Sequence, residues 1–238
     1  MVMRLSRVFS LALALLWPGH ASAEDVDLLL VLASDVSRSV DAHKFQLQRD
    51  GYAAALANGS VLEAIKSGKQ GRIAICFVEW SGVTAQKVVI DWTIVKDADT
   101  ARQFADRLIE APRSFAERTS ISGAIDFSVS QLARAPHNSA RKTIDVSGDG
   151  TNNSGRDVRV ARDEAVAQDI TINGLVILSD RPLSFNPEHT HPPGGLTNYY
   201  RENVMGGPGA FVMVAQDFQS FGKAILGKLI AEIAMVEQ

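Results

Sequence analysis

The sequence predicts an α/β fold in which a doubly wound, mainly parallel six-stranded sheet carries helices on both faces and one antiparallel edge strand. Short apolar runs alternate along the chain with segments whose apolar residues recur at helical spacing, and this alternation is typical of strand–helix–strand units. The run at 26–33 (VDLLLVLA) is almost continuously apolar, as expected of a strand buried on both faces. Only a short turn containing Ser81 and Gly82 separates two later runs, which predicts an antiparallel hairpin at the sheet edge.

The apolar runs expected to form the sheet are, in order, 26–33, 72–80, 87–92, 142–146, 170–178 and 210–215. The expected helices are one after an N-cap at Asp41, those at 97–110, 120–133 and 156–168, and one after an N-cap at Asp217. The last helix places Phe218, Phe221, Ile225, Leu229 and Ile233 on one face. Core packing is the expected use of that face, with a partner-binding surface as the alternative.

The N-terminus has the pattern of a secretory signal peptide. Arg4 and Arg7 precede a short apolar run at 8–17, and an Ala-Ser-Ala sequence follows at 21–23. A basic start, a short apolar core and small residues at the cleavage site are its three parts. The run is shorter than the roughly 20 residues that a membrane span needs. We therefore expect residues 1–23 to be a leader and the product to be exported, to a bacterial periplasm or the medium.

Residues 24–238 are expected to form a single, monomeric domain without a membrane span. Cleavage after residue 23 of 238 would leave 215 residues, and loss of two arginines would lower the Lys+Arg count from 24 to 22, against 27 Asp+Glu. This mildly acidic balance argues against nucleic acid as a partner. Cys76 is the only cysteine in the sequence, so no internal disulfide can form. Its apolar neighbours favour a core position over a reactive thiol.

Oxygen-bearing side chains occur where three predicted elements begin or end. Asp35, Ser37 and Ser39 follow the first strand, Thr119 precedes a predicted helix, and Asp149 follows the fourth strand. Ligands of doubly wound sheets bind at the carboxyl ends of the strands. Asp and Ser are also frequent turn and cap residues, which is the alternative explanation for any one of them. All five in these positions favour a common site.

This set resembles the metal-ion-dependent adhesion site of the von Willebrand factor A domain, an open, Rossmann-like α/β fold. That site has the pattern Asp-x-Ser-x-Ser, then a Thr on a second loop and an Asp on a third, and all five residue types match here. The resemblance extends over nearly all of residues 24–238. The stretches TSISGAIDF and GGPGAFVMVAQDF are also similar to a secreted, uncharacterised bacterial subfamily of these domains.

The resemblance implies a binding module that captures an Asp or Glu carboxylate of a partner protein through a bound Mg²⁺ or Mn²⁺. Ser37, Ser39 and Thr119 would contact the cation directly or through water, and Asp35 and Asp149 would anchor it. The residue types themselves agree, because oxygen-only ligands favour hard cations over zinc. Two carboxylates also balance the charge of a divalent ion, while hydroxyl groups add none.

The sequence departs from the family pattern beside two of these residues. Arg118 stands where a Gly usually precedes the Thr, and Gly148 stands where a Thr commonly precedes the Asp. Arg118 would narrow the second loop or place a cation beside the site. Arg38 lies between the two serines and is a candidate contact for an acidic partner, with a solvated surface arginine as the alternative.

Other candidates lie outside this set. Glu79 lies near the end of the second strand, close to the predicted metal face, and is a candidate base or partner contact, with a merely solvated strand-end carboxylate as the alternative. The segment 179–209, rich in Pro, Gly, His and Asn, is expected to be a long irregular loop, and such loops are usually functional or mobile. Its His189 and His191 have the spacing of a two-histidine clip, although a solvated loop is favoured over a zinc site. Tyr199 and Tyr200 belong to the same segment. They would either cover the site and contact a partner or pack beneath the loop.

Two other functions remain open. A metal-dependent hydrolase would use the cation as a Lewis acid, with Glu79 or a histidine of the long segment as the base. A structural adaptor would keep the fold with a vestigial metal site and bind through apolar surfaces. The sequence contains neither a Gly-x-Ser-x-Gly elbow nor a phosphate-binding Gly-rich loop, so we favour the binding module.

Overall fold

The structure, a computed structural model, describes residues 23–234. The predicted leader, apart from Ala23, lies outside these residues. The strands are β1 Glu24–Asp25, β2 Leu29–Asp35, β3 Ile73–Trp80, β4 Gln86–Val95, β5 His137–Asn138, β6 Lys142–Gly148, β7 Ile170–Ile177 and β8 Val212–Ala215. The helices are α1 Ala42–Leu56, α2 Gly59–Lys66, α3 Ala98–Glu110, α4 Ile121–Ala133, α5 Val158–Val166, α6 Pro187–Thr190, α7 Leu196–Asn203 and α8 Phe221–Ala234.

The main sheet confirms the predicted fold class. Its six strands lie in the order β4-β3-β2-β6-β7-β8. All neighbours are parallel except β3 and β4, which form the antiparallel hairpin at the edge. Because the chain runs outward from the central β2 in both directions, β2 and β6 end side by side at the carboxyl edge of the sheet. The loops that follow them therefore meet there.

The core lies on both faces of the sheet. Every residue of β2 and β3 is buried, because helices cover these central strands on both sides. One apolar cluster joins the sheet to α1, α3 and α8, and the other joins it to α4, α5 and α7. The five apolar residues predicted for one face of the last helix region are all buried, which agrees with core packing. Cys76 is also buried, with none of its surface exposed.

Several elements differ from the sequence predictions. The first central strand begins at Leu29 rather than 26 and continues through Asp35. The last helix begins at Phe221, because Asp217 accepts a hydrogen bond from the Ser220 backbone N–H in a separate turn before the helix. The fourth predicted helix is shorter and follows an N-cap at Asp157. The two-residue strands β1 and β5 and the short helix α2 have too few residues to give a clear periodic signal.

The segment 179–209 is not the irregular loop that its composition predicted. It contains the helices α6 and α7, and Gly206 bridges back to Ile172 of β7. Leu196 and Tyr200 of α7 are buried against the sheet. Because these two apolar residues occur among Pro, Gly and Asn residues, the composition of the segment gave no indication of a buried helix.

A buried charged cluster lies between α8 and the sheet. The Lys228 ammonium group contacts Asp145 Oδ2 at 2.9 Å and also pairs with Glu232, and all three side chains are fully buried. Asn173 donates a hydrogen bond to Glu232 Oε1 at 2.8 Å. Burial raises the pKa of Asp145 to about 7, although Lys228 opposes this increase.

None of the helices within residues 23–234 is long and apolar enough to cross a membrane.

Candidate functional site

The candidate site is formed by three loops at the carboxyl edge of the sheet. Loop 1 (36–41) follows β2, loop 2 (111–120) joins α3 to α4, and loop 3 (149–157) follows β6. Loops 2 and 3 are held together by backbone contacts, because Asn153 N donates to the Thr119 carbonyl oxygen at 2.9 Å. In return the Thr119 backbone N–H donates to Asn153 Oδ1 at 3.0 Å. Thr119 is therefore held rigidly beside the start of loop 3.

Four of the five predicted ligands form a continuous series of contacts where β2 and β6 end. Asp35 Oδ1 accepts the Ser37 backbone N–H at 2.7 Å, which closes a tight turn. The Ser37 and Ser39 hydroxyl oxygens are 3.2 Å apart. The Ser39 hydroxyl donates to Asp149 Oδ1 at 2.6 Å, across 110 residues of sequence. The turn thus aims alternate side chains of the Asp-x-Ser-x-Ser segment toward the carboxylate of loop 3.

The fifth predicted ligand, Thr119, reaches this group through a histidine. Its hydroxyl oxygen lies 3.2 Å from His189 Nε2, and His189 in turn interacts electrostatically with Asp149. The imidazole packs directly on loop 3, where a Cβ on Gly150 would collide with the ring. The close approach requires glycine at this position.

The two carboxyl groups of the site are buried with little compensating positive charge. Burial, followed by repulsion from Asp149, raises the pKa of Asp35 to about 7, and burial also raises the pKa of Asp149. Asp35 Oδ2 is buried and has no hydrogen-bond partner. Lys44 is the nearby cation: its ammonium group donates to the Ser39 carbonyl oxygen at 2.7 Å and lies 3.7 Å from Asp149 Oδ2. With both carboxyl groups ionised, the cluster carries an uncompensated negative charge that a divalent cation would balance.

Loop 2 is held in place from below by a buried ion pair. Arg49 of α1 pairs with Glu79 at the end of β3, and both are almost fully buried. Glu79 Oε2 accepts the Ser114 backbone N–H at 2.8 Å. Arg113 donates to the Val36 carbonyl oxygen at 2.6 Å, so loop 2 is also tied to loop 1. Both Glu79 oxygens are engaged in these contacts, so this carboxylate, which the alternative hydrolase would use as its base, ties loop 2 to α1 and β3.

The two tyrosines of α7 lie beneath and beside the site. Tyr200 is fully buried, and a Cβ on Gly148 would lie 2.6 Å from its hydroxyl oxygen and 3.1 Å from Asp35 Oδ2. Gly148, which departs from the family pattern, thus makes room for Tyr200 against β6. Tyr199 is partly buried, and its hydroxyl oxygen accepts the Asn152 backbone N–H at 3.1 Å. Tyr200 therefore packs under the loops, whereas Tyr199 supports loop 3.

Three expectations from the sequence need correction. Glu79 and Tyr200 have no exposed surface, so neither lies where a partner could touch it. His189 is only 4% exposed, because α6 turns its imidazole into the site, and it is not part of a solvated loop. His191, two residues later, is exposed, so the two histidines do not form a clip. Arg38 is exposed as expected.

Three residues of this arrangement were not singled out from the sequence, namely Lys44, Arg113 and Asn153, and His189 was considered only as part of a two-histidine clip or as a base. Asn153 belongs to the Gly-Asp-Gly-Thr-Asn-Asn stretch after β6, where the density of turn residues was the available signal. The others come from separate elements, and their proximity depends on tertiary packing. Arg118 is exposed and donates to the Asn153 carbonyl oxygen at 3.1 Å, so it borders the site from loop 2.

The fold of this chain is the von Willebrand factor A-type fold. Solved structures that share the fold include proximal thread matrix protein 1 of the mussel byssus with a zinc-occupied MIDAS motif. It is 15% identical with a TM-score of 0.61, and the match covers 90% of this chain and 50% of that one. A von Willebrand factor type A structure from Catenulispora acidiphila is 13% identical with a TM-score of 0.60, covering 87% and 43%. An aerotolerance-related membrane protein from Bacteroides fragilis is 17% identical with a TM-score of 0.54, covering 86% and 99%.

The chain belongs to the family described as "Protein of unknown function (DUF1194)", whose model matches residues 25–237. It spans about half the length of the byssus protein and less than half of the Catenulispora structure. Comparison with curated proteins finds no match. The solved structures thus support the fold, and the family model shows the family to which the chain belongs.

Proposed function

We propose that this chain is an exported A-type binding module that holds a divalent cation, Mg²⁺ or Mn²⁺, and uses it to capture an acidic group of a partner protein. The ligands would be Asp35, Ser37, Ser39, Thr119 and Asp149. The observation that carries the proposal is the pair of buried carboxyl groups at adjacent strand ends, faced by hydroxyl groups and by a single ammonium group.

The spacing of the donors supports a six-coordinate cation. With ligands at 2.0–2.1 Å in an octahedron, neighbouring ligand atoms are about 3 Å apart. The oxygen–oxygen distances of 3.2 Å between Ser37 and Ser39 and 2.6 Å between Ser39 and Asp149 are close to that value. No three His, Cys, Asp or Glu side chains form a metal-binding group within residues 23–234, so a cation here would depend on the hydroxyl donors.

The charge around the site favours an acidic partner. Arg38 lies between Ser37 and Ser39 in loop 1, Arg118 precedes Thr119 in loop 2, and both are exposed. A partner carboxylate that approaches the cation would meet these guanidinium groups at the rim, which would speed association and orient the partner. Solved relatives of the fold include a pilus adhesin, SpaC from Lactobacillus rhamnosus GG, and capture of a protein is the corresponding role proposed for this chain.

Export is proposed from the signal-peptide pattern of residues 1–23, and the exported domain is proposed to be a monomer. In an exported protein the site would meet the millimolar divalent cations of the medium or periplasm. A weak metal site would therefore be filled there without a dedicated loading step.

The first test is isothermal titration calorimetry of the purified protein with Mg²⁺ and Mn²⁺, alongside Asp149→Asn and a control, Asp163→Asn. Asp163 is an exposed residue of α5 that pairs with Arg162, so its change removes one carboxylate without touching the site. We expect uptake of one cation by the wild type and by Asp163→Asn, and none by Asp149→Asn with the fold retained. Absence of uptake by the wild type at millimolar cation would refute the metal site.

The second test is affinity capture from the exported fraction of the source organism, with and without a chelator. The proposal expects a partner that is released by the chelator and is not captured by Asp149→Asn. A partner bound equally in both conditions would favour the structural adaptor. Turnover of phosphoester or peptide substrates that the chelator abolishes would favour the hydrolase.

A further inference from the structure

The most informative feature outside the predicted ligand set is His189 of α6. The helix is a single turn that reaches the site from the 179–209 segment, and the His189 backbone carbonyl accepts the Thr151 N–H at 2.9 Å. The side chain is 96% buried, and its ring rests on Gly150 with no room for a Cβ between them. A polar ring buried in this way needs partners for both nitrogens.

The two nitrogens of this imidazole face opposite sides. Nε2 points to the proposed ligand Thr119, at 3.2 Å from its hydroxyl oxygen. Nδ1 points to loop 3, at 3.3 Å from Thr151 Oγ1 and 3.4 Å from Asn153 Nδ2. In the metal-free protein Nδ1 can accept from the Asn153 amide, with the ring proton on Nε2 toward Thr119. Metal binding would require the other tautomer, in which Nδ1–H donates to Thr151 Oγ1 and the Nε2 lone pair faces the site. A second-nitrogen hydrogen bond of this kind orients most metal-binding histidines.

The distance between Nε2 and Thr119 Oγ1 matches that of two ligands of one ion. Adjacent donors of an octahedral cation are about 3 Å apart, and 3.2 Å separates this pair as it does Ser37 and Ser39. His189 and Thr119 thus form a pair of neighbouring donors on the loop 2 side of the site, as Ser37 and Ser39 do on the loop 1 side. The ring also interacts electrostatically with Asp149, another proposed ligand.

We propose that His189 Nε2 is a ligand of the cation and that this nitrogen makes the site prefer Co²⁺, Zn²⁺ and related transition metals to Mg²⁺. The inference rests on the cation site of the proposed function. An imidazole added to oxygen donors strengthens binding along the order from Mn²⁺ to Cu²⁺ far more than it strengthens Mg²⁺ binding. His189 would supply one of six positions, and four others would be supplied by Ser37, Ser39, Thr119 and Asp149. The sixth position would be occupied by a water molecule through which Asp35 holds the cation, or by an external carboxylate.

The test compares Co²⁺ and Mg²⁺ binding to the metal-free full chain by calorimetry and by the visible absorption of Co²⁺. The variants are His189→Gln, which keeps a polar side chain beside Thr119, and His191→Ala as the matched control. His191 lies on the same segment but is exposed. Circular dichroism and thermal melting check that His189→Gln retains the fold, and His189→Asn serves as a second substitution of smaller size.

We expect the wild type to bind Co²⁺ at least about tenfold more tightly than Mg²⁺, and His189→Gln to lose about tenfold or more in Co²⁺ affinity with little change for Mg²⁺. The Co²⁺ absorption bands should shift in His189→Gln and stay unchanged in His191→Ala. Equal Co²⁺ affinity and spectrum in His189→Gln and wild type would overturn the inference while the cation site stands. Tighter binding of a carboxylate such as acetate by His189→Gln, with unchanged metal affinity, would also overturn it, because His189 would then be covering the site. Failure of the wild type to bind either metal would refute the proposed function itself.

Discussion

Substitution of Asp35 by Asn should have opposite effects on the metal-free and the metal-bound protein. Asp35 is fully buried, its Oδ1 accepts the Ser37 N–H, and its Oδ2 has no hydrogen-bond partner. Asn keeps the shape and the Oδ1 acceptor but removes the charge that faces Asp149. Without a cation it should therefore remove the cost of burying this charge and its repulsion with Asp149. With a cation it should remove an anchoring carboxylate.

The magnitude follows from the pKa of Asp35, which rises from 3.8 to about 7. The folded protein binds a proton more tightly than the unfolded chain, so this residue's contribution to stability is full at low pH and is lost as pH rises from about 4 through 7. The difference corresponds to roughly 4 kcal/mol at higher pH. Since the Asn amide group would be buried without a partner, at a cost of about 1–3 kcal/mol, we expect a net gain near 2 kcal/mol at about pH 8.

The assay is thermal and urea unfolding of wild type and Asp35→Asn at about pH 8, with a chelator or with saturating Mn²⁺. A gain near 2 kcal/mol would raise the Tm of a domain of this size by about 4–8 °C in the chelator. In Mn²⁺ the wild type should gain about 2.7 kcal/mol when the cation is at 100 times its Kd, and the variant should gain much less. Destabilisation of the variant in the chelator, or an undiminished response to Mn²⁺, would show the reasoning to be wrong.

Asp145→Asn is the matched control for this experiment. Asp145 is also fully buried with a pKa raised to about 7, but it lies in the Lys228 cluster rather than among the proposed ligands. Its substitution should change the pH dependence of stability and leave the response to Mn²⁺ unchanged. An altered metal response would mean that loss of any buried carboxylate has the effect assigned to Asp35.

Three further predictions concern the core and the site. Lys228→Met removes the cation beside Asp145 and should lower the free energy of unfolding in urea by about 3–5 kcal/mol; a neutral result would mean that this charge is dispensable. Gly150→Ala should displace the His189 ring and weaken Co²⁺ binding by about tenfold without unfolding the domain, and an unchanged titration would contradict the packing described. Cys76, buried and with its pKa raised to about 12, should react with a thiol reagent at about pH 8 only when urea unfolds the protein, so reaction in the native state would place it nearer the surface.

Local patterns were sufficient for most of the main sheet and its long helices. The antiparallel edge strand was predicted from the short turn after β3, and the structure places it as β4. The cap at Asp41 was also predicted, and its side chain accepts the Lys44 backbone N–H at the start of α1. These signals are reliable because strand burial, helical spacing and capping depend on neighbouring residues.

The short elements were less predictable. Helix α6 has four residues and no side-chain cap, and it follows a Pro-rich stretch, so nothing in its own sequence marks it. Its importance comes from the contact of His189 with Thr119, which are 70 residues apart. Periodicity in a short window cannot report such a contact.

The sequence by itself determined the α/β class, the alternation of buried strands and helices, and the residue types of an oxygen-donor site, because each depends on local pattern and composition. Only the tertiary structure decided which loops meet, since that depends on the order of the strands across the sheet. It placed Asp149 against Ser39, left one oxygen of Asp35 without a partner, and turned His189 from an apparently solvated loop into the site. Burial and long-range packing set the charge and the donor chemistry of this cluster, and neither is encoded in any one stretch of the chain.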